Sequence, residues 1–208
     1  MLNLPILILD WSGVISDDRR PVYESNMRLL ESYGKPRMTF EEWLPRTTLS
    51  VREFLANNGI TGEPEKFFEE YRLIFNKVRT EGIHPVVYAD AKENLQKLKK
   101  SGKKLIVLSA HPEKNLREEA KEYGVEEYFI SFTGNAKDKA QAIIEICKTM
   151  GVVPSPEGAV YVGDTIYDIQ AAKKAKVYSV GITTGYHSKE RLLDENPHKV
   201  IESLSELL

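Results

Sequence analysis

"ILILDWSGVISDD" (residues 6–18) decides how the rest of the chain is read. Its four leading apolar residues, Ile6 to Leu9, make a strand-sized run of the kind buried on both faces of a sheet. They run directly into Asp10, and a Ser12-Gly13 step follows. A carboxylate just past a buried strand is held rigidly, and Gly13 lets the chain turn so that backbone N–H groups face an anion. An aspartate there also serves simply to cap a strand-to-loop turn, so this stretch alone leaves both readings open.

Working outward, similar short runs recur at Leu105–Leu108, Tyr128–Ile130, Ala159–Val162 and Val177–Gly181, with Lys199–Ile201 a weaker sixth. They alternate with helical patterns, as expected of an α/β fold with a parallel sheet and helical crossovers. Asp90–Ser101 reads as a helix closed by Gly102, and Asp138–Met150 as another closed by Gly151. Between the first two strands lies a long interruption, residues 17–83, whose pattern is helical throughout. Its expected helices are Pro21–Tyr33, Phe40–Asn57 and Pro64–Thr80, separated by Gly34-Lys35-Pro36 and by residues 59–62. The expected organisation is therefore an α/β core of residues 1–16 and 84–208 with an inserted helical subdomain of residues 17–83. No repeat or low-complexity tract interrupts it.

A chain of 208 residues can bury a substantial core as one domain with an insert. Its 29 basic and 31 acidic residues nearly balance, without the basic stripe that a nucleic-acid partner requires. No apolar run approaches the ~20 residues of a membrane span, and no signal pattern leads the chain, so a cytoplasmic protein is expected. The single cysteine, Cys147, excludes an internal disulfide framework and reads as a small packed residue of a helix.

In open parallel sheets, ligands sit beyond the carboxyl ends of the strands, and polar residues following apolar runs are the ones to weigh. Besides Asp10, Ser12 and Gly13, these are Ser109 and Ala110 after "KKLIVL", and "VYVGDTIYD" at 160–168. Ser109 suits either a phosphate oxygen or a turn cap, and His111 either a proton carrier or a loop. In the third set Asp164 ends a strand and Asp168 lies four residues on, one helical turn away on the same face. Two such carboxylates repel unless a positive charge lies between them, which a hard, oxygen-seeking ion such as magnesium supplies. The alternative is a pair of acids favoured by a helix N-terminus. "GNAKDKAQAI" then sets Lys137 and Lys139 just ahead of a helix that Asp138 can cap.

Together these residues resemble the haloacid dehalogenase superfamily over the whole chain: an Asp after the first strand, Ser or Thr after the second, a Lys before a later helix, and Gly-Asp followed by another Asp. The resemblance implies a Rossmann-like core with a helical cap and a magnesium-dependent hydrolase of small phosphorylated metabolites. It implies that Asp10 is the nucleophile, Ser109 and Ala110 with Ser12 and Gly13 bind phosphate, and Lys139, in preference to Lys137, stabilises charge. Asp10, Asp164, Asp168 and the backbone carbonyl of Ser12 are the implied metal ligands. Hinges are expected near Ser16–Arg19 and Gly82–Pro85, and substrate contacts in the cap at Arg46, Thr47 and Thr48. Oligomeric state is not legible.

One position departs. Phosphatases similar to this chain carry an acid two residues after the nucleophile, which protonates the leaving oxygen and later activates water. Here that position is Ser12, and a missing general acid costs ~100- to 10,000-fold. An alkoxide needs the proton; acyl phosphates, anhydrides, phenolic esters or an enamine-stabilised carbon need it much less. "DWSG" also resembles the "DWAG" of phosphonoacetaldehyde hydrolases, which form a Schiff base on a cap lysine; Lys35, Lys66 and Lys77 are the lysines available. Two further alternatives are that Asp17, Asp18 or His111 supplies the proton through water, and that the chain is a phospho-ligand-binding protein without turnover. The Gly-Asp pair argues against halide-removing relatives, and the chain length and insert argue against a receiver domain.

Overall fold

The computed structural model describes residues 6–48 and 50–208. Residues 1–5 of the expected core, and Leu49 within the expected helix Phe40–Asn57, lie outside the described residues. In chain order the elements begin with strand β1 (Ile6–Leu9), a short strand β2 (Ser16–Asp17) and helix α1 (Arg19–Ser32). Helix α2 (Phe40–Trp43), a 3₁₀ turn (Leu44–Arg46), α3 (Val51–Asn57) and α4 (Pro64–Thr80) follow. Next come β3 (Val86–Val87), α5 (Ala91–Lys100), β4 (Lys104–Leu108), α6 (Glu113–Glu122) and, after a 3₁₀ turn (Glu126–Tyr128), β5 (Phe129–Thr133). The chain continues through α7 (Lys139–Thr149), β6 (Val160–Gly163), α8 (Ile166–Lys174), β7 (Tyr178–Ile182), α9 (Lys189–Asp194) and β8 (Lys199–Ile201), and ends in a 3₁₀ turn (Leu204–Leu207).

Six strands form one sheet in the order β5-β4-β1-β6-β7-β8, with every pairing parallel. Alternate side chains of β1 serve opposite faces, as the pleat requires. Leu7 and Leu9 join a core with Leu95, Leu98, Leu116 and Phe132, whereas Ile6 and Ile8 join another with Ala140, Ile143, Cys147 and Ala172. This two-sided burial is why the strands read as unbroken apolar runs rather than alternating ones. Helix ends also follow the expected chemistry: Gly102 and Gly151 take the left-handed conformation just past α5 and α7, at φ 84° and 71°. Cys147 is buried.

By its internal contacts the chain divides into two compact units, one of residues 18–85 and one holding the rest. The core unit also contains a two-stranded ribbon with no expected counterpart: β2 pairs antiparallel with β3, Ser16 opposite Val87 and Asp17 opposite Val86. At two residues each, these strands are too short for periodicity to show. The expected single helix over Phe40–Asn57 is instead broken. Pro45 enters a 3₁₀ turn after Trp43, and a new helix starts with Ser50 accepting the Glu53 N–H. The expected strand Tyr128–Ile130 starts one residue later, because Tyr128 closes the 3₁₀ turn.

Within the helical unit, Tyr23, Phe40 and Trp43 form an aromatic cluster with ring centroids 5.4–5.5 Å apart. Glu24 of α1 accepts from Arg28 at 2.8 Å and from Arg37 at 2.5 Å, while Arg28 also pairs with Glu81 at the end of α4 at 2.6 Å. Burial alone would raise the Glu24 carboxyl, but hydrogen bonds and charge from Arg37 and Arg28 outweigh it and hold it below its ordinary value. Lys35, Lys66 and Lys77 are all exposed, and Lys66 pairs with Glu70. No helix among the described residues is long and apolar enough to cross a membrane.

Since the folded Glu24 carboxyl is depressed, its contribution is complete above the unfolded value of about 4.3 and is lost as pH falls through the folded one. Glu24→Gln is expected to cost about 1 kcal/mol at pH 7. Urea midpoints should show the gap between wild type and variant closing at acidic pH, and a gap that persists there would contradict the ion-pair account.

Candidate active site

The sheet order sets the site. β1 lies between β4 and β6, so the loops that follow these three strands emerge side by side. Asp10, Ser109 and Asp164 are the polar residues directly after or near those strand ends, and all are buried. Asp10 stays tied to the sheet through its N–H to the Val162 carbonyl, 2.9 Å.

Its carboxylate is fixed at both oxygens: the Trp11 N–H donates to Oδ1 at 2.8 Å, and Lys139 Nζ to Oδ2 at 2.6 Å. The same ammonium donates to Asp168 Oδ1 at 2.6 Å. Lys139 opens α7, whose start is capped by Asp138 accepting the Gln141 N–H. Lys137 is exposed, and the structure brings Lys139 rather than Lys137 to the acids.

Asp168 is filled by four donors. Oδ1 takes Lys139 and the Tyr161 hydroxyl, and Oδ2 takes the Thr165 N–H and hydroxyl. Both readings left open by the sequence are therefore realised, one on each oxygen: Oδ2 closes the start of α8, and Oδ1 faces the lysine. Asp164 differs. Among the described residues its side chain accepts one hydrogen bond, from the Tyr186 N–H to Oδ2 at 2.7 Å. Carboxylate oxygens of Asp10, Asp164 and Asp168 lie within 4.8 Å of one another.

Three carboxylates and one ammonium leave two negative charges uncompensated in a buried place, and the protonation behaviour reflects it. Burial pushes the Asp10 carboxyl up to about 6, with Lys139 countering and Asp168 adding to the rise. Burial drives Asp164 well above the ordinary range, and the charges of Asp168 and Asp10 reinforce this. For Asp168, burial is outweighed by Lys139 and by the hydrogen bonds from Lys139, Thr165 and Tyr161, which keep it ionised. Lys139 would be lowered by burial, but Asp10 and Asp168 raise it well above its usual value. A divalent cation with a preference for oxygen donors matches both the donor set and the missing charge.

The loop after Asp10 is rigid. The N–H groups of Val14, Ile15 and Ser16 all converge on the Trp11 carbonyl, and Gly13 N–H donates to the Ser16 carbonyl. Trp11 itself is buried, with its indole N–H on Glu119 at 2.7 Å and its ring stacked on Tyr123. Gly13 has φ 74°, and a Cβ there would stand 2.2 Å from the Asp164 carboxylate. The Ser12 side chain lies 3.4 Å from His111 Nε2. Ser109 Oγ accepts the His111 N–H at 3.2 Å, leaving its hydroxyl proton to donate elsewhere. Ala110 is exposed in that loop. Arg46 is exposed in the helical unit, and the Thr47 and Thr48 hydroxyls are spent on the Leu44 and Ser50 carbonyls.

Sequence reasoning missed a whole wall of the site, the loop after β7, "TTGYH" at 183–187. Thr184 Oγ1 donates to the Gly13 carbonyl at 2.5 Å, and the Tyr88 hydroxyl holds the Thr184 carbonyl at 2.7 Å. A Cβ at Gly185 would stand 1.9 Å from Asp164 Oδ2. His187 is buried, gives its N–H to the Asp164 carbonyl and accepts the Ile166 N–H on Nδ1. Burial and the nearby Arg191 charge push it down to about 4, so it stays neutral. The available signal was its position: polar residues directly after a buried strand, the same rule that singled out the other three sets.

A Rossmann-like parallel sheet whose adjacent strand ends gather three buried carboxylates around one lysine defines a class of α/β proteins suited to hold a dication against an anion. The family model for haloacid dehalogenase-like hydrolases matches residues 7–182, and the chain belongs to that family. Among its relatives is a phosphoglycolate phosphatase of Pseudomonas syringae pv. tomato, 29% identical over 218 residues that span 99% of this chain and 79% of the relative. Another, from Psychrobacter arcticus, is 23% identical and spans 100% of this chain and 95% of the relative. The fold is shared with a haloacid dehalogenase-like family hydrolase from Streptococcus pneumoniae at a TM-score of 0.82 and 17% identity, covering 100% of this chain and 98% of that one.

Lys139→Met leaves the buried acids without their cation and is expected to destabilise the protein by about 3–5 kcal/mol in chelator at neutral pH. Thermal unfolding with and without magnesium measures it, and a variant as stable as wild type in chelator would contradict the charge count. Gly185→Ala is expected to displace Asp164 at a cost of about 1–3 kcal/mol, read from the same unfolding measurement.

Proposed function

We propose that this chain is a magnesium-dependent phosphohydrolase that attacks a small phosphorylated metabolite with Asp10 and passes through an aspartyl phosphate. One observation carries the reading: a single partly buried ammonium, Lys139, lies 2.6 Å from both Asp10 and Asp168, with Asp164 in the same cluster. Asp10, Asp164, Asp168 and the backbone carbonyl of Ser12 are the groups offered to hold the ion, the three carboxylates having oxygens within 4.8 Å of one another. Bound there, magnesium supplies positive charge against the phosphoryl oxygens.

The residues divide the work as follows. Asp10 Oδ1 or Oδ2 attacks phosphorus in line with the leaving oxygen. The Trp11 N–H and Lys139 hold that carboxylate in one orientation, which is where much of the rate advantage of a fixed nucleophile arises. Lys139 and the Ser109 hydroxyl neutralise and bind the equatorial oxygens, aided by N–H groups of the Ser12–Gly13 turn and the Ala110 region. Asp168 keeps Lys139 charged and in place. The helical unit of residues 18–85 is the part of the chain offered as the family's cap. Arg46 is the cap side chain offered as a substrate contact. The relatives' name makes phosphoglycolate the first metabolite to test.

Phosphate release over a panel of metabolites and an aryl phosphate, with magnesium and then with chelator, tests this. Asp10→Asn is expected to lose turnover by more than about a thousandfold. Asp164→Asn should raise the magnesium concentration needed for half activity. Full activity in Asp10→Asn would remove the nucleophile assignment.

A further inference from the structure

We infer that the substrate carries its phosphoryl group on an oxygen of low basicity, an acyl phosphate or a phenolic or enolic ester, rather than on an alkyl alcohol. The inference rests on the phosphohydrolase reading of Asp10. It follows from the side chain that the fold holds at position 12, and from the absence of freedom to replace it.

Residue 12 sits in a loop closed on itself. Three successive N–H groups end on the Trp11 carbonyl, the Trp11 indole is held by Glu119 and stacked on Tyr123, and Thr184 grips the Gly13 carbonyl. Ser12 is bridged to Ser16 through the backbone, which fixes the course of the loop at this position, and its hydroxyl lies 3.4 Å from His111 Nε2. Asp17, the next acid along the chain, is held in β2 by its pairing with Val86. The three acids that cluster beside this loop are engaged as nucleophile, metal ligand and lysine partner. A serine hydroxyl at residue 12 is not acidic enough to deliver a proton to a departing alkoxide near neutral pH.

The chemistry then favours leaving groups that need no proton. Asp10 forms a bond to phosphorus while the bond from phosphorus to the leaving oxygen breaks, and its electron pair stays on that oxygen. A carboxylate or phenolate departs as the anion, because the parent acids have pKa values of about 4 and about 10, far below an alkanol. In the second half, water attacks phosphorus and the bond to Asp10 breaks, regenerating its carboxylate. This leaving group is itself a carboxylate and again needs no proton. The protons of the attacking water remain on the product phosphate and exchange with solvent, which the loose transition state tolerates. In the first half, Ser12 therefore hinders only reactions that must expel a strong base. Without a base for the attacking water, hydrolysis of the aspartyl phosphate becomes the slower half.

The test compares kcat/KM for acetyl phosphate, a series of aryl phosphates graded by the acidity of their phenols, and phosphoglycolate. Wild type is expected to favour acetyl phosphate and the most acidic phenol over phosphoglycolate by at least ~100-fold, with a steep dependence on leaving-group acidity. Acetyl phosphate ahead of every aryl ester assigns an acyl phosphate, and the reverse assigns a phenolic or enolic ester. Ser12→Asp is expected to raise phosphoglycolate hydrolysis at least ~10-fold and flatten the dependence. A burst of phenol release, stoichiometric with enzyme, should precede the steady state in wild type. The wild-type series alone decides the matter if Ser12→Asp does not fold. Equal rates on phosphoglycolate and the most acidic aryl ester would overturn the inference while leaving the phosphohydrolase standing. So would His111→Gln losing alkyl-ester activity selectively, since the imidazole 3.4 Å from Ser12 would then be the proton source. No turnover and no phosphorylated Asp10 with any substrate would overturn both readings.

Discussion

Among the described residues Lys139 is the cation paired with the buried acids, and the arrangement of the site depends on it. Its ammonium is shared between Asp10 and Asp168, residues that come from opposite ends of the chain. Burying three carboxylates together is costly, because each ionised form loses its hydration and repels the others. The lysine offsets part of that cost and leaves the rest to be met by a second positive charge. The three acids thus form a group that could hold a cation. Within it Asp168 is engaged by several protein donors, while Asp164 accepts a single hydrogen bond among the described residues.

The surrounding scaffold is concerned mainly with keeping these groups still. Trp11 is a core residue, stacked and hydrogen-bonded away from the site, yet its backbone forms the hub on which the first loop is wound. Tyr161 lies in β6 with its ring buried and spends its hydroxyl on Asp168. Neutral His187 closes the start of α8 and also touches the Asp164 carbonyl. Each of these side chains acts on the acids through backbone placement or a single hydrogen bond, so aromatic packing is converted into precise placement of the carboxylates.

Much of this was legible in the sequence because strands buried on both faces leave a strong trace. Ile6–Leu9 and Lys199–Ile201 coincide with β1 and β8, and the polar residues after β1 and β6, with the lysine opening α7, converge as expected. What stayed hidden had physical reasons. β2 and β3 are too short for any period, and the break at Pro45 is a local turn inside an otherwise helical pattern. The wall at 183–187 contributes mostly N–H groups, a hydroxyl and missing Cβ atoms, none of which has a distinctive spacing. Facing within the helical unit follows from tertiary packing, so the Thr47 and Thr48 hydroxyls, spent on neighbouring carbonyls, gave no warning.

The antiparallel pairing of Ser16–Asp17 with Val86–Val87 has a consequence for how such a chain can change over time. Seen from the sheet, the whole stretch from residue 18 to residue 85 is the tip of a hairpin whose stem is already formed. Lengthening or shortening a tip alters the entropy of closing the loop only logarithmically. Helices can therefore be added, lost or exchanged there at small thermodynamic cost, while the paired strands on either side keep their register.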